Sequence, residues 1–267
     1  MILARRTGSA GRRSRPRGSA ALQVLLALVL AGCAGKEPPR PDHDPFESVN
    51  RPIFAFNDWL DTWALAPVAR VWDHAWPDPV QRGFANFFDN LRFPIVLAND
   101  ILQAEPRMAI ETIARFQTNT FLGGLGFFDL AADLGVPPHV QDTGLTFGRW
   151  GFAPGPYLVL PVFGPSNPRD LTGLVADGAL AVYPWFIAIP GITAGASAID
   201  VVNRRSRVIG QVDDAKAASI DYYSFVRNAY IQRRWREIHR AAPPPGDQEE
   251  DLYDAEIYED FLEEGGQ

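Results

Sequence analysis

Only one cysteine, Cys33, occurs in the 267 residues, so no intramolecular disulfide can form. The four histidines (His43, His74, His139, His239) are scattered, without metal-ligand spacing or a His-Glu-x-x-His helix. No Gly-x-Ser-x-Gly elbow marks an acyl-transfer serine. Triads can assemble from distant residues, so a lipid esterase stays open as one reading. The cluster Gly123-Gly124-Leu125-Gly126 lacks the lysine and hydroxyl residue of a phosphate loop, and no strand pattern precedes it. It reads as a helix stop. Asp129 and Asp133, four apart, could act as a catalytic pair or as solvated, capping carboxylates.

Charge is missing from the whole stretch between Arg149 and Arg169. The same stretch carries five prolines (Pro154, Pro156, Pro161, Pro165, Pro168) and three glycines (Gly151, Gly155, Gly164), which oppose a continuous helix or a central strand. It reads as an apolar loop. Loops normally lie in water because their backbone groups need partners. An apolar one is either a buried connection or a wall facing lipid or a ligand cavity. A second charge-free stretch, Gly178 to Ile199, is long enough to cross a bilayer but is broken by Pro184, Pro190, Gly191 and Gly195. It is expected either to enter a membrane partway or to be a buried core element.

Residues 1–32 hold six arginines and no acid, followed by an apolar run from Ala20 to Ala31, the pattern of a signal peptide. The run ends in Leu30-Ala31-Gly32-Cys33, which resembles the bacterial lipobox, so Cys33 is the expected lipid-attachment site, with a diacylglycerol and an N-acyl chain. Each buried methylene contributes about 0.8 kcal/mol to such an anchor. Ala34 follows the cysteine, not the aspartate that retains lipoproteins at the inner membrane of enteric bacteria, and this points to the inner leaflet of the outer membrane. Residues 33–45 form a short proline-rich tether that keeps the body close to the bilayer. Without the six leader arginines the formal charge falls from -7 to -13, and ten acids of that sum lie in residues 247–267. The body is therefore near neutral, which excludes a nucleic-acid binder on charge, and the acidic segment 242–267 is expected to be a disordered tail. No cofactor beyond the acyl chains and no metal is expected.

The body, residues 46–241, reads as one all-α domain of short amphipathic helices. Asp44-Pro45-Phe46-Glu47 predicts a capped helix start with Asp44 as N-cap, and Pro52 a restart. Helices are expected at Pro67–Trp76, Pro79–Leu91, Pro94–Gln103, Pro106–Leu122 and Phe127–Leu134, with a Glu111/Arg115 pair on the fourth. Asn167 and Pro168 predict another helix start. Ser219 to Arg240 predicts a long helix whose Arg227, Arg233, Arg234, Arg236 and Arg240 either meet lipid headgroups or form a solvated face.

Several segments, taken in order, resemble the MlaA (VacJ) outer-membrane lipoproteins: Asp44 to Glu47 with Asn50-Arg51-Pro52, Phe54 to Asn57, Asn86 to Leu91, Asn99 to Gln103, Arg115-Phe116 with Asn119-Thr120, Gly124 to Asp129, Gly144 to Gly148, Gly155-Pro156-Tyr157, Gly164-Pro165, Arg169-Asp170 and Tyr222 to Arg234. The resemblance covers nearly the whole body. It implies a helical, ring-shaped disc embedded in the membrane with a central amphipathic channel. It further implies a non-enzymatic role: removing mislocalised phospholipid from the outer leaflet and passing it to a periplasmic carrier protein, in association with an outer-membrane porin trimer. A porin-associated structural lipoprotein is the alternative. The family's flexible loop beside the pore maps near Gly123 to Tyr157. Arg149 as headgroup contact, Gly151 and Gly155 as pivots, and Tyr157 are the candidate channel-loop residues. The family's Trp-Gly-x-Gly-like segment keeps Gly151 but has Ala153 and then Pro154, which fixes φ.

Overall fold

The structure, a computed structural model, describes residues 44–181 and 190–239, the side chains of 190–193 excepted. The expected signal peptide, Cys33, the tether up to residue 43, Arg240, the tail and the middle of the second apolar stretch lie outside the described residues.

Helix α1 (Glu47–Leu60) begins later than Asp44 would place it, and Asp44 is not its N-cap. Its Oδ1 accepts from the Phe46 amide at 3.0 Å, closing a local turn, while Glu47 accepts from Arg51 at 2.6 Å instead of reaching back. Pro52 lies inside α1 and does not restart it. The proline removes one i-to-i−4 bond, but Ser48, which loses its donor, is exposed, so water can replace it. The chain runs on through a π-helical turn (Asp61–Leu65) into α2 (Ala66–Ala75) without a break.

Helices α3 (Asp78–Leu91), α4 (Phe93–Leu102) and α5 (Pro106–Phe121) each carry proline in the first turn, as the sequence predicts. Positive φ at Gly124, Leu125 and Gly126 then ends α5 in a turn. The next helix, α6 (Leu130–Asp133), is a single turn, shorter than expected, because Asp129 caps it by accepting from Ala132 N at 3.3 Å.

After α7 (Thr143–Arg149) the apolar stretch is not loop throughout. It contains an antiparallel hairpin, β1 (Leu158–Leu160) and β2 (Gly164–Ser166), with Val159 opposite Pro165. Proline is tolerated there because a two-stranded ribbon has only edges. Asn167 caps α8 (Pro168–Leu180), its side chain accepting from Asp170 N at 2.8 Å. Helices α9 (Pro190–Ser206), α10 (Ile209–Ala218) and α11 (Tyr222–His239) complete the described chain.

The hairpin is held by α1 in place of a third strand. Asn50 donates to Tyr157 O at 3.0 Å and accepts from Val159 N at 2.9 Å. Two helical turns on, Asn57 donates to Leu160 O at 2.9 Å and accepts from Val162 N at 2.8 Å. The seven-residue spacing puts both amides on one helix face. Followed from neighbour to packed neighbour, the elements run α1, the π-helical turn, α2, α9, α3, α4, α7, α11, β2, β1 and back to α1. Among the described residues no helix is long and apolar enough to cross a membrane.

Candidate functional site

Burial in this chain runs against the soluble pattern. Of the largest fully buried side chains among the described residues (Leu145, Gln141, Asn50, Asn99, Asn203, Thr146 and Asp100), only Leu145 is apolar. Large apolar groups lie outside instead: Phe121 is 79% exposed, Phe163 74% and Trp63 73%, with Phe56, Trp59, Val68, Val71, Ile110, Leu122 and Trp150 exposed as well. Water-soluble domains scatter such residues singly and rarely accumulate them. The described residues thus combine an interior rich in polar groups with a large exposed apolar surface.

The buried polar groups find partners. Thr146 Oγ1 donates to Asn99 Oδ1 at 2.6 Å, and Gln103 Nε2 donates to Thr146 at 2.7 Å and to Gln141 at 3.0 Å, joining α4, α7 and the segment before it. Asn203 of α9 donates to Gln81 O at 3.0 Å and accepts from the Trp72 indole at 3.1 Å, tying α9 to α2 and α3. Asp177 accepts from Thr143 N and Oγ1, at 3.1 and 2.6 Å; burial pushes its carboxyl up nonetheless. Polar contacts between helices thus join the elements alongside aromatic pairs such as Trp72–Phe84 and Phe93–Phe116.

Of the α11 arginines expected to meet headgroups or to form a solvated face, Arg233 and Arg236 are exposed, whereas Arg227 and Arg234 are buried. Arg234 is buried and forks to Asp142 (2.7 and 3.0 Å) and Asp170 (2.8 Å), locking α11 to the N-termini of α7 and α8. Burial alone would raise the Asp170 carboxyl, but Arg234 and Arg169 outweigh it and hold it below the ordinary carboxylate range. Arg227 is buried as well, and Arg233 lies 3.7 Å from Glu237. Arg115 does not pair with Glu111, which binds Arg107; it forks to Asp129 at 2.9 Å. Arg205 pairs with Asp61 at 2.7 Å.

Of the four channel-loop candidates, Arg149 and Tyr157 contact α11. Arg149 donates to the carbonyls of Ile238 (3.3 Å) and Glu237 (3.1 Å) at the C-terminus of α11. Gly151 has φ +88° with open space where a Cβ would stand, whereas a Cβ on Gly155 (φ +73°) would come within 3.1 Å of Pro168. Tyr157 is buried with Val159 and Tyr223, against Ile53, Phe54 and Tyr230, and its hydroxyl has no partner among the described residues. Arg149 and Tyr157 thus dock on opposite halves of the same helix and do not form one cluster.

An amphipathic cavity of about 250 Å³ lies between α3, α4, α5, α9 and residues 138–141. Arg92, Arg115, Arg204, Asp89 and Asp129 face it, together with Phe93, Val96 and Phe116. The Phe93 and Phe116 rings stack at 4.1 Å. The sequence offered only pieces of this wall, the Asn86 to Leu91 and Arg115-Phe116 segments, because its members come from helices far apart in the chain. His139 at its edge places one nitrogen, Nε2, 3.1 Å from Asp100 Oδ2 and 3.2 Å from Thr112 Oγ1. A proton relay needs both ring nitrogens, one to the carboxylate and one to the hydroxyl, so this trio is not one. Asp129 caps α6 and binds Arg115 and Asn119, which accounts for it without catalysis. Among the described residues no cluster of three metal-ligating side chains occurs.

The chain is 35% identical over 217 residues to the intermembrane phospholipid transport system lipoprotein MlaA of Escherichia coli strain K12, covering 79% of this chain and 84% of that protein. It is 31% identical over 220 residues to the protein of the same name from Haemophilus influenzae, covering 78% and 86%. A solved chain from work on the "structural basis for maintenance of bacterial outer membrane lipid asymmetry" superposes with a TM-score of 0.65 at 31% identity, over 73% of this chain and 99% of that one. The family model described as MlaA lipoprotein matches residues 42–237, and the chain belongs to that family.

Proposed function

We propose that this chain is a non-enzymatic, outer-membrane lipoprotein that takes mislocalised phospholipid from the outer leaflet and passes it inward to a periplasmic carrier, so maintaining lipid asymmetry. The observation that carries this reading is the reversal of burial: buried asparagine, glutamine and aspartate under exposed tryptophan, phenylalanine and valine. Such a body is soluble in the acyl region and offers polar groups only within. Anchored through Cys33, it lies in the inner leaflet beside an outer-membrane porin trimer. The circuit of packed elements supports a ring around an amphipathic passage. Arg149, Gly151, Gly155 and Tyr157 form the loop beside that passage, with the positive-φ glycines as its pivots.

Deleting the gene and quantifying phospholipid on the cell surface tests the reading. Surface phospholipid should rise and return to normal on complementation; an unchanged outer leaflet would count against transport. If asymmetry depends on the porin contact alone and survives every substitution in the loop, the chain is a structural porin partner. Release of lysolipid or fatty acid by the purified chain would instead establish an esterase.

A further inference from the structure

Three guanidinium groups face the 250 Å³ cavity, and their hydrogen bonds set them apart. Arg115 gives NH2 to both oxygens of Asp129 at 2.9 Å and NH1 to the Val136 carbonyl. Arg204 gives Nε to Asp200 and NH2 to Asp89, each at 2.8 Å. Both are occupied in holding α5 to α6 and α9 to α3. Arg92, at the junction of α3 and α4, makes no side-chain hydrogen bond or ion pair among the described residues; its charge reaches Asp200 only through space. Because Arg204 binds Asp200 as well as Asp89, the carboxylates Asp89, Asp129 and Asp200 balance the three arginines, and what sets the exposed Arg92 apart is its unused donors.

We propose that Arg92 is the phosphate-reading residue of this cavity and that its ligand is the phosphodiester of a glycerophospholipid headgroup; the assignment rests on the lipid-conduit reading above. A free guanidinium fork matches two phosphate oxygens and is weakly hydrated, so it can bind them at a lipid boundary. The volume falls below the roughly 300–1,000 Å³ of pockets that enclose whole ligands, so the cavity admits a headgroup and leaves acyl chains outside. The stacked Phe93 and Phe116, with Val96 and the exposed Val140, give those chains an apolar margin continuous with the outer surface.

The test uses the full chain in nonionic detergent, titrated with short-chain dihexanoylphosphatidylcholine, with dihexanoylglycerol, which lacks the phosphate, and with inorganic phosphate. Arg92→Ala and Arg92→Glu should weaken the phospholipid about ten- to a hundredfold, Arg92→Lys should lie between, and dihexanoylglycerol binding should not change. Unaltered phospholipid binding by Arg92→Glu overturns the assignment to Arg92 and leaves the conduit standing. Equal loss of both lipids also overturns it, since the residue then acts on the fold. Binding of inorganic phosphate in place of the phospholipid overturns the lipid as the source. Failure of the wild-type chain to bind either lipid overturns the conduit reading itself.

Discussion

Asn50 makes the buried pair of the side-chain bonds that hold the hairpin, and replacing it with alanine should be costly. Its amide satisfies the Tyr157 carbonyl (3.0 Å) and the Val159 amide (2.9 Å), both in residues no more than 5% exposed. Asn50→Ala orphans both groups where water cannot reach them, at about 1–3 kcal/mol each, or roughly 2–6 kcal/mol together. Asn57 makes the matching pair of bonds to Leu160 and Val162, but Val162 is 68% exposed. Water substitutes there, so Asn57→Ala should cost under about 1 kcal/mol. For a chain of this size 1 kcal/mol moves Tm by about 2–4 °C. Thermal unfolding of purified protein in one detergent should therefore separate the two variants by about 10 °C. If Asn50→Ala melts with wild type, or Asn57→Ala is the worse of the two, the asparagine face of α1 is not what holds the hairpin.

Gly151→Ala should keep the fold and slow lipid passage, because the Cβ meets open space but the φ of +88° becomes strained by about 1–2 kcal/mol; normal surface phospholipid in cells carrying it would refute Gly151 as a pivot. Gly151→Pro is the harsher variant, since it also removes the amide that donates to Gly148 O at 3.0 Å, and lower protein levels are expected with it. Arg234→Met should destabilise the chain by about 3–5 kcal/mol by leaving Asp170 buried without its main cation; an unfolding curve within 1 kcal/mol of wild type would contradict the lock between α7, α8 and α11. The Asp170 and Asp129 carboxyls are held below their ordinary 3.8. Their stabilisation is present above about pH 4 and is lost as pH falls through the depressed values. Tm should drop below pH 4 in wild type and less steeply in Asp170→Asn; parallel pH profiles would refute this coupling.

The helices were legible because prolines in their first turns and helical spacing of aromatics are local signals, and Pro79, Pro94, Pro106 and Pro168 mark starts within a residue or so. Pro52 misled because its proline cost is cancelled by an exposed Ser48 and a continuing helix, which only the tertiary setting decides. The hairpin was hidden because β1 and β2 are three residues each and their third partner is a pair of asparagine side chains. Basic residues of α11 looked like headgroup contacts, yet Arg234 faces Asp142 and Asp170, which lie 92 and 64 positions away. The cavity and Arg92 were invisible for the same reason: the distinction between a guanidinium already bound and one left free exists only once distant carboxylates are placed.

The reversal of burial is tested most directly by tryptophan quenching in bilayers with brominated acyl chains. Trp63 is 73% exposed on the α1–α2 face, whereas the Trp72 indole is bound inward to Asn203. The full chain in such vesicles should lose much of its fluorescence, and Trp63→Phe should remove a share of the quenchable signal, beside that of the exposed Trp59 and Trp150, while Trp72→Phe removes little. If the bromolipids leave Trp63 unquenched and aqueous acrylamide quenches it freely, the apolar exterior faces water and the membrane-embedded account is contradicted.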